Sequence, residues 1–251
     1  MMAERAPNWF DQGGASYLLY RPGYPHDLAA VLAALAPDRR LAVDVGCGNG
    51  QFTRHLADHF ETVVGVDPSA DQIAHAAPDP RIVYRCGPAE ALPVADGSAG
   101  LITAAQAAHW FDLPAFYGEA RRVASRGAVI ALVSYGVVRL DPGPINDRLA
   151  RFHDEDIGPY WPPERYMVEN GYADMDFPFA PILVPPMAIH REWSARQLLG
   201  YVGTWSAVRR ARDAGQAQRL ADFAAELTAL WGDPDQTRAI LWPISVRVGR
   251  L

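Results

Sequence analysis

Apolar positions recur three and four apart from Asp27 to Ala36, where Leu28, Val31, Leu32 and Leu35 share one face. That spacing predicts a helix. The short apolar run Leu41–Val45 predicts a buried strand, and helical spacing returns from Gln51 to Phe60. The alternation continues: a strand over Thr62–Val66, a helix over Ala70–Ala76, and strands over Arg81–Tyr84 and Gly100–Ala104. A helix over Pro114–Val123 then leads into the strongest strand signal, Ala128–Ser134. Strands alternating with helices at this spacing predict βαβ units and a mostly parallel sheet covered by helices on both faces.

The regularity breaks after Tyr135. Residues 139–190 are rich in proline and aromatics, as in GPYWPPERY (Gly158–Tyr166) and DFPFAPILVPP (Asp176–Pro186). This is not the composition of a flexible Gly/Ser linker; it predicts a proline-stiffened insertion over one end of the sheet. Helical spacing resumes over Ser194–Ala214 and Ala217–Trp231, and a last strand fits Ile240–Val248.

Composition narrows the class. The 251 residues are 49% hydrophobic and 21% charged, ordinary values for a globular protein. A net charge of −6 disfavours nucleic acid or an anionic membrane as the main partner, since both reward basic surfaces. No apolar run is long enough for a transmembrane helix, and MMAERAPNWF lacks the apolar centre of a signal peptide. The two cysteines, Cys47 and Cys86, suggest neither a disulfide scaffold nor a zinc site. The expectation is a cytoplasmic protein without a metal.

Chemistry concentrates where the first strand ends. Gly46, Gly48 and Gly50 follow it at alternate positions. Lacking Cβ atoms, they permit a tight strand-to-helix turn and close approach of a ligand to the backbone. The next strand, VVGVDPS, delivers Asp67 and Pro68 about 20 residues beyond Gly46, the spacing at which an acid meets ribose hydroxyls. A dinucleotide fingerprint would place its third glycine where Gln51 stands. An NAD-dependent oxidoreductase is thereby disfavoured.

The sequence Asp44-Val-Gly46-Cys47-Gly48-Asn-Gly50 resembles the first motif of class I S-adenosylmethionine-dependent methyltransferases. Pro88-Ala89-Glu90-Ala-Leu-Pro93 is similar to that family's segment after the third strand, and LITAAQAAHWF (Leu101–Phe111) to the type 11 group. The latter stretch, Phe10-Asp11, the pattern Tyr17-x-x-x-Arg21-Pro22-x-Tyr24-Pro25 and GTWSAV (Gly203–Val208) come nearest to the branch related to trans-aconitate methyltransferases. The chain departs from many relatives at Gly100 and Pro88, where they carry acidic or polar residues.

The resemblance implies a Rossmann-like, doubly wound, mostly parallel sheet of seven strands with a lid or insertion after the fifth. It implies one methyltransferase domain over residues 1–251. Within it, residues 10–135 are the cofactor-binding core, 139–190 a substrate lid, and 191–251 the C-terminal helices and last strand. S-adenosylmethionine would lie against Tyr17, Arg21, Asp44, Gly46, Cys47, Gly48, Gly50, Asp67, Pro68, Ala89, Glu90, Ala105 and Gln106. A small-molecule acceptor, an oxygen such as a carboxylate before nitrogen or sulfur, would meet Tyr24, Trp110, Trp161 and Trp205.

His109 follows the fourth strand, and its ordinary pKa suits a general base. It equally suits a residue that shapes the pocket. His153, His190, Glu164 and Arg165 lie where the resemblance is thinnest and read as surface or packing residues; Trp193, Trp231 and Trp242 read as core. Ala105-Gln106-Ala107 stands where DNA amino-methyltransferases carry Asn or Asp before Pro-Pro and an aromatic, and neither cysteine follows a proline. A DNA base is therefore not the expected acceptor. A non-catalytic sensor of the cofactor is the alternative from a different class.

Overall fold

The computed structural model describes residues 22–233 and 235–251. Tyr17 and Arg21, expected at the cofactor, lie outside the described residues. The chain divides into two compact units. One comprises Pro22–Arg139, Pro163–Arg191 and Ile240–Leu251; among the described residues the other comprises Leu140–Pro162 and Glu192–Ala239. The expected insertion is thus shared, its first half with the helical unit and its second with the sheet.

The strands are β1 (Leu41–Val45), β2 (Thr62–Asp67), β3 (Ile82–Cys86), β4 (Ala99–Ala105), β5 (Ala124–Tyr135), β6 (Ala180–Ile182), β7 (Met187–Trp193) and β8 (Arg238–Arg250). They form an eight-stranded sheet whose main path of seven runs β3-β2-β1-β4-β5-β8-β6, with β7 pairing to β8 off that path. The first five strands pair in parallel, and β8 runs antiparallel to β5 and β6. β6 and β7 escaped the sequence pattern because prolines crowd them. Pro181 is tolerated because β6 ends the path, where a missing N–H breaks no inner ladder.

The interior explains the strand signals. Ala128 to Tyr135 are buried without interruption, as a central strand covered on both faces must be. β3, at the other end of the path, is buried only at Ile82 and emerges into solvent by Arg85 and Cys86. The helix Leu113–Val123 starts on Asp112, whose carboxylate accepts the Ala115 N–H at 3.2 Å, and ends on Arg121 and Arg122, which complement its dipole. It buries Phe116, Tyr117, Ala120 and Val123 against the core around Val43, Ile102 and Ile130.

The other unit is helical: Pro144–Arg151, Ala195–Gly203, Ser206–Asp213 and Ala217–Trp231. The single helix expected over Ser194–Ala214 is broken, because Trp205 adopts an extended conformation between the two segments. Ser194 and Gln197 form a reciprocal capping box that fixes the first of these. Phe152 stacks on Phe223 with centroids 3.7 Å apart, beneath the buried Arg148, which pairs with Asp156 and Glu226. Trp231 and Trp242 are core, as expected. Among the described residues no helix is long and apolar enough to cross a membrane.

Candidate functional site

β1, β2, β4 and β5 run in parallel, so the loops after Val45, Asp67 and Ala105 leave the same edge of the sheet. Ligands of open α/β sheets bind at that edge, near the point where the strand order reverses. Here the reversal falls at β1, between β2 and β4.

The three glycines of the first loop all take left-handed backbone, with φ of +69°, +55° and +82° at Gly46, Gly48 and Gly50. Their reasons differ. A Cβ on Gly46 would lie 2.3 Å from Ala107 Cβ, and one on Gly50 would lie 2.0 Å from the Tyr84 hydroxyl. Both are closed by the protein's own packing. At Gly48 the nearest atom to a Cβ would be Gln72 Oε1 at 3.6 Å, which is ordinary contact. Of the three, Gly48 is the one whose Cα the protein's own packing leaves uncrowded.

Asp67 sits beside it at the end of β2, half-buried. Its Oδ2 accepts the Gly48 N–H at 2.8 Å, and its Oδ1 accepts the Ser69 N–H at 2.9 Å. Each oxygen keeps a lone pair for a further donor, which is the chemistry a ribose diol requires. Burial raises the Asp67 pKa, and the two backbone bonds oppose that rise. The glycine surface and the diol-matching acid together fit a nucleoside-bearing cofactor.

Asp44 is set deeper. It is 1% exposed, with Oδ2 accepting from Thr53 Oγ1 at 2.7 Å and Oδ1 from Thr103 Oγ1 at 2.8 Å. Burial pushes its pKa up to about 6. Both oxygens are spent on holding β1, β4 and the helix Gln51–Ala57 together below the loop. Cys47 is buried, and desolvation raises its thiol pKa, which disfavours the thiolate. Pro68 is exposed, and Ala89 is buried. Glu90 is half-buried and accepts the Asp112 N–H at 2.9 Å, tying its segment to the start of the helix Leu113–Val123.

The exit of β4 is strained. Gln106 takes φ +54°, fixed by its N–H to Val133 O (2.8 Å) and its Nε2 to Tyr135 O (3.0 Å). A non-glycine residue held in that region marks a segment fixed by its surroundings. It aims the turn Ala108–Trp110, which carries His109, alongside the glycine loop. His109 Nδ1 lies 3.0 Å from the Tyr172 hydroxyl, and its ring is 4.8 Å from that of Trp110. Burial, with the Arg165 guanidinium nearby, pushes the imidazole pKa down to about 3.

Tyr24 is buried between Phe52 and Tyr135, with ring centroids 5.1 Å and 6.1 Å away. Trp161 and Trp205 belong to the helical unit, where their rings lie 5.5 Å apart beside the buried His153. Thr53, Thr103, Tyr84 and Tyr172 were missed by sequence reasoning. The two threonines could have been found as polar residues on otherwise apolar faces. Tyr172 gave no signal, since it lies 63 residues from its partner.

The known proteins agree with this geometry. The methyltransferase domain family, type 11 group, matches residues 43–132. A candidate methyltransferase of Dictyostelium discoideum is 32% identical over 225 residues, spanning 88% of this chain and 85% of its own. The chain belongs to the class I S-adenosylmethionine-dependent methyltransferases. A solved structure of a candidate type II methyltransferase from Anaeromyxobacter dehalogenans superposes on this methyltransferase with a TM-score of 0.87 at 44% identity, covering 92% of this chain and 98% of that one. The YcgJ protein of Bacillus subtilis shares the methyltransferase fold at 17% identity and a TM-score of 0.53, over 90% of this chain and 98% of its own. S-adenosylmethionine is the cofactor, and it supplies an electrophilic methyl group on a sulfonium centre.

Proposed function

We propose that this enzyme methylates a small-molecule oxygen, a carboxylate first among them, in the manner of the branch related to trans-aconitate methyltransferases. The observation that carries this reading is the packing of the Ala105–Phe111 segment on the glycine loop. A Cβ on Gly46 would meet Ala107 at 2.3 Å and Phe111 at 3.2 Å, which brings the His109 turn next to the cofactor's loop. In this reading Gly48, Ala89, Ala105 and Gln106 border the cofactor, and Asp67 accepts from its ribose. Gly46, Cys47, Gly50, Asp44, Pro68 and Glu90 hold the surrounding backbone in place.

His109 and Trp110 face the acceptor, covered by the part of the insertion that packs with the sheet, residues 163–191. Tyr24 shapes the pocket from behind, through Phe52 and Tyr135. Tyr17 and Arg21, from the segment outside the described residues, complete the cofactor side. Displacement at a sulfonium needs no metal and no covalent enzyme intermediate. Orientation of two reactants can supply roughly 7–11 kcal/mol of the barrier reduction.

The test is methyl transfer itself. The protein and its Asp67→Ala variant are incubated with isotope-labelled S-adenosylmethionine and a small-metabolite extract, and mass-shifted products are sought. A labelled product that the variant fails to make, and that mild base hydrolyses, establishes ester formation. A base-stable product moves the acceptor to an ether oxygen, nitrogen or sulfur. Cofactor binding with no product from any fraction points instead to a sensor.

A further inference from the structure

The pairing of His109 with Tyr172 decides what the histidine can do. Tyr172 is fully buried, and among the described residues its hydroxyl meets His109 alone: Nδ1 at 3.0 Å, and the backbone N–H, which donates to the phenol oxygen. Its position is enforced. Tyr172 takes φ +63°, a conformation a bulky side chain rarely adopts. Gly171 before it takes φ +66° and approaches Ser245 so closely that a Cβ would lie 2.3 Å from Oγ. The Arg247 guanidinium donates to the carbonyls of Tyr172 (2.6 Å) and Met175 (2.5 Å). A strand residue, a glycine and a strained backbone all act to press one phenol against one imidazole.

That phenol has one place to send its proton. If Nδ1 carried hydrogen, the imidazole would be the donor and the Tyr172 O–H would be a buried donor without an acceptor. A buried unmade donor is a costlier defect than an unused lone pair on the same oxygen. So Tyr172 donates, Nδ1 accepts, and the ring hydrogen resides on Nε2. The imidazole also stays neutral: it is buried, and the Arg165 guanidinium nearby disfavours a second positive charge. Its second nitrogen then offers an N–H rather than a lone pair.

We propose that Tyr172 and His109 form a donor relay, Tyr172 O–H to Nδ1 and Nε2–H to the substrate, which selects an acceptor oxygen that arrives already ionised, a carboxylate. This rests on the oxygen-methyltransferase reading above and makes His109 a donor instead of the general base that its sequence position suggested. Nε2–H holds one carboxylate oxygen while the other attacks. The new C–O bond forms from an oxygen lone pair as the S–CH₃ bond breaks, its electron pair passing to sulfur. Anion and cation become a neutral ester and a thioether. No proton is lost, so no base is needed. Tyr172 is a positioning residue, and His109 is the one that touches substrate.

The relay is tested without turnover. Long-range ¹H–¹⁵N spectra of the full chain carrying ¹⁵N-histidine, with His109→Gln for assignment, read the tautomer directly between pH 5 and 8. A neutral His109 protonated on Nε2 throughout supports the relay, as does its conversion to mixed tautomers in Tyr172→Phe. An Nδ1–H tautomer or a charged ring at pH 7 overturns it. Should Tyr172→Phe not fold, the wild-type tautomer alone decides.

The second readout uses the carboxylate acceptor found in the product search. His109→Gln keeps an N–H near the Nε2 position but cannot serve as a base. Recovery by Gln of at least a tenfold part of what His109→Ala loses supports the donor. Equal losses of about 10²-fold or more in both variants indicate a base and overturn the relay. If the products carry methyl on nitrogen or sulfur, the oxygen reading fails; the tautomer is judged separately by its spectrum.

Discussion

Gly48 and Asp67 are joined by a 2.8 Å hydrogen bond from the glycine N–H to Oδ2, across 19 residues of chain. The acid proposed to accept from the ribose therefore also sets the position of the glycine loop proposed to carry the cofactor. Asp67→Ala removes both functions. Asp67→Asn keeps the shape but turns one oxygen into an NH₂ that faces a backbone N–H. Each charge-assisted bond contributes about 1.5–3 kcal/mol, so both variants should bind S-adenosylmethionine at least tenfold more weakly. Calorimetric titration of the three proteins checks this; unaltered affinity in Asp67→Ala would remove Asp67 from the site.

The loop glycines should separate into two kinds. Gly46→Ala and Gly50→Ala combine left-handed backbone with contacts of 2.3 Å and 2.0 Å. Urea unfolding should show each losing roughly 2–4 kcal/mol, the sum of strain and overpacking. Gly48→Ala pays only for its φ of +55°, having room for the methyl within the protein. It should lose less stability than the other two while weakening cofactor binding more than its stability loss explains. Equal stability losses at all three positions would contradict the distinction.

Asp44 gives a pH signature with an unusual sign. Its folded pKa is about 6 against an ordinary 3.8. Between those values the folded protein holds a proton that the unfolded chain has released, so stability falls as pH rises through the window. The full effect is on the order of 3 kcal/mol. Asp67, also raised, acts in the same direction. Asp79 and Glu119, lowered by their arginine partners, act oppositely. Comparing thermal unfolding of the cofactor-free protein with that of Asp44→Asn from pH 4 to 7 isolates the first contribution. The variant should be the flatter, and parallel curves would place the Asp44 pKa near its ordinary value.

In the helical unit, Arg148 is 6% exposed, pairs with Asp156 and Glu226, and lies 4.9 Å over the Phe223 ring. Arg148→Ala leaves Asp156 without its cation and opens a hole beside the stacked phenylalanines. Because both acids are partly exposed, a loss of about 1–3 kcal/mol is expected. Arg148→Met, which refills the volume above the rings, should recover part of it. Denaturant midpoints for the two variants distinguish lost charge pairing from lost packing.

The sequence by itself determined the alternation of strands and helices up to Tyr135, because periodicity and turn glycines are local signals. β1 begins and ends at the expected residues, and β2 to β5 differ from expectation only at their ends. The Asp44–Gly50 pattern with Asp67 beyond it was enough to indicate the cofactor, since a strand, a bare turn and an acid at a fixed distance lie within one βαβ unit. Tertiary structure decided the rest. That Gly46 and Gly50 answer to Ala107 and Tyr84 is not legible along the chain, where all three glycines look alike. Nor is the burial of Asp44 beneath Thr53 and Thr103. Above all, Tyr172 lies in a stretch whose prolines and aromatics carry no periodicity, and it reaches His109 only because the sheet, Gly171 and Arg247 bring them together. Local patterns report which elements form; the proton on a histidine is set by a neighbour that only the folded chain supplies.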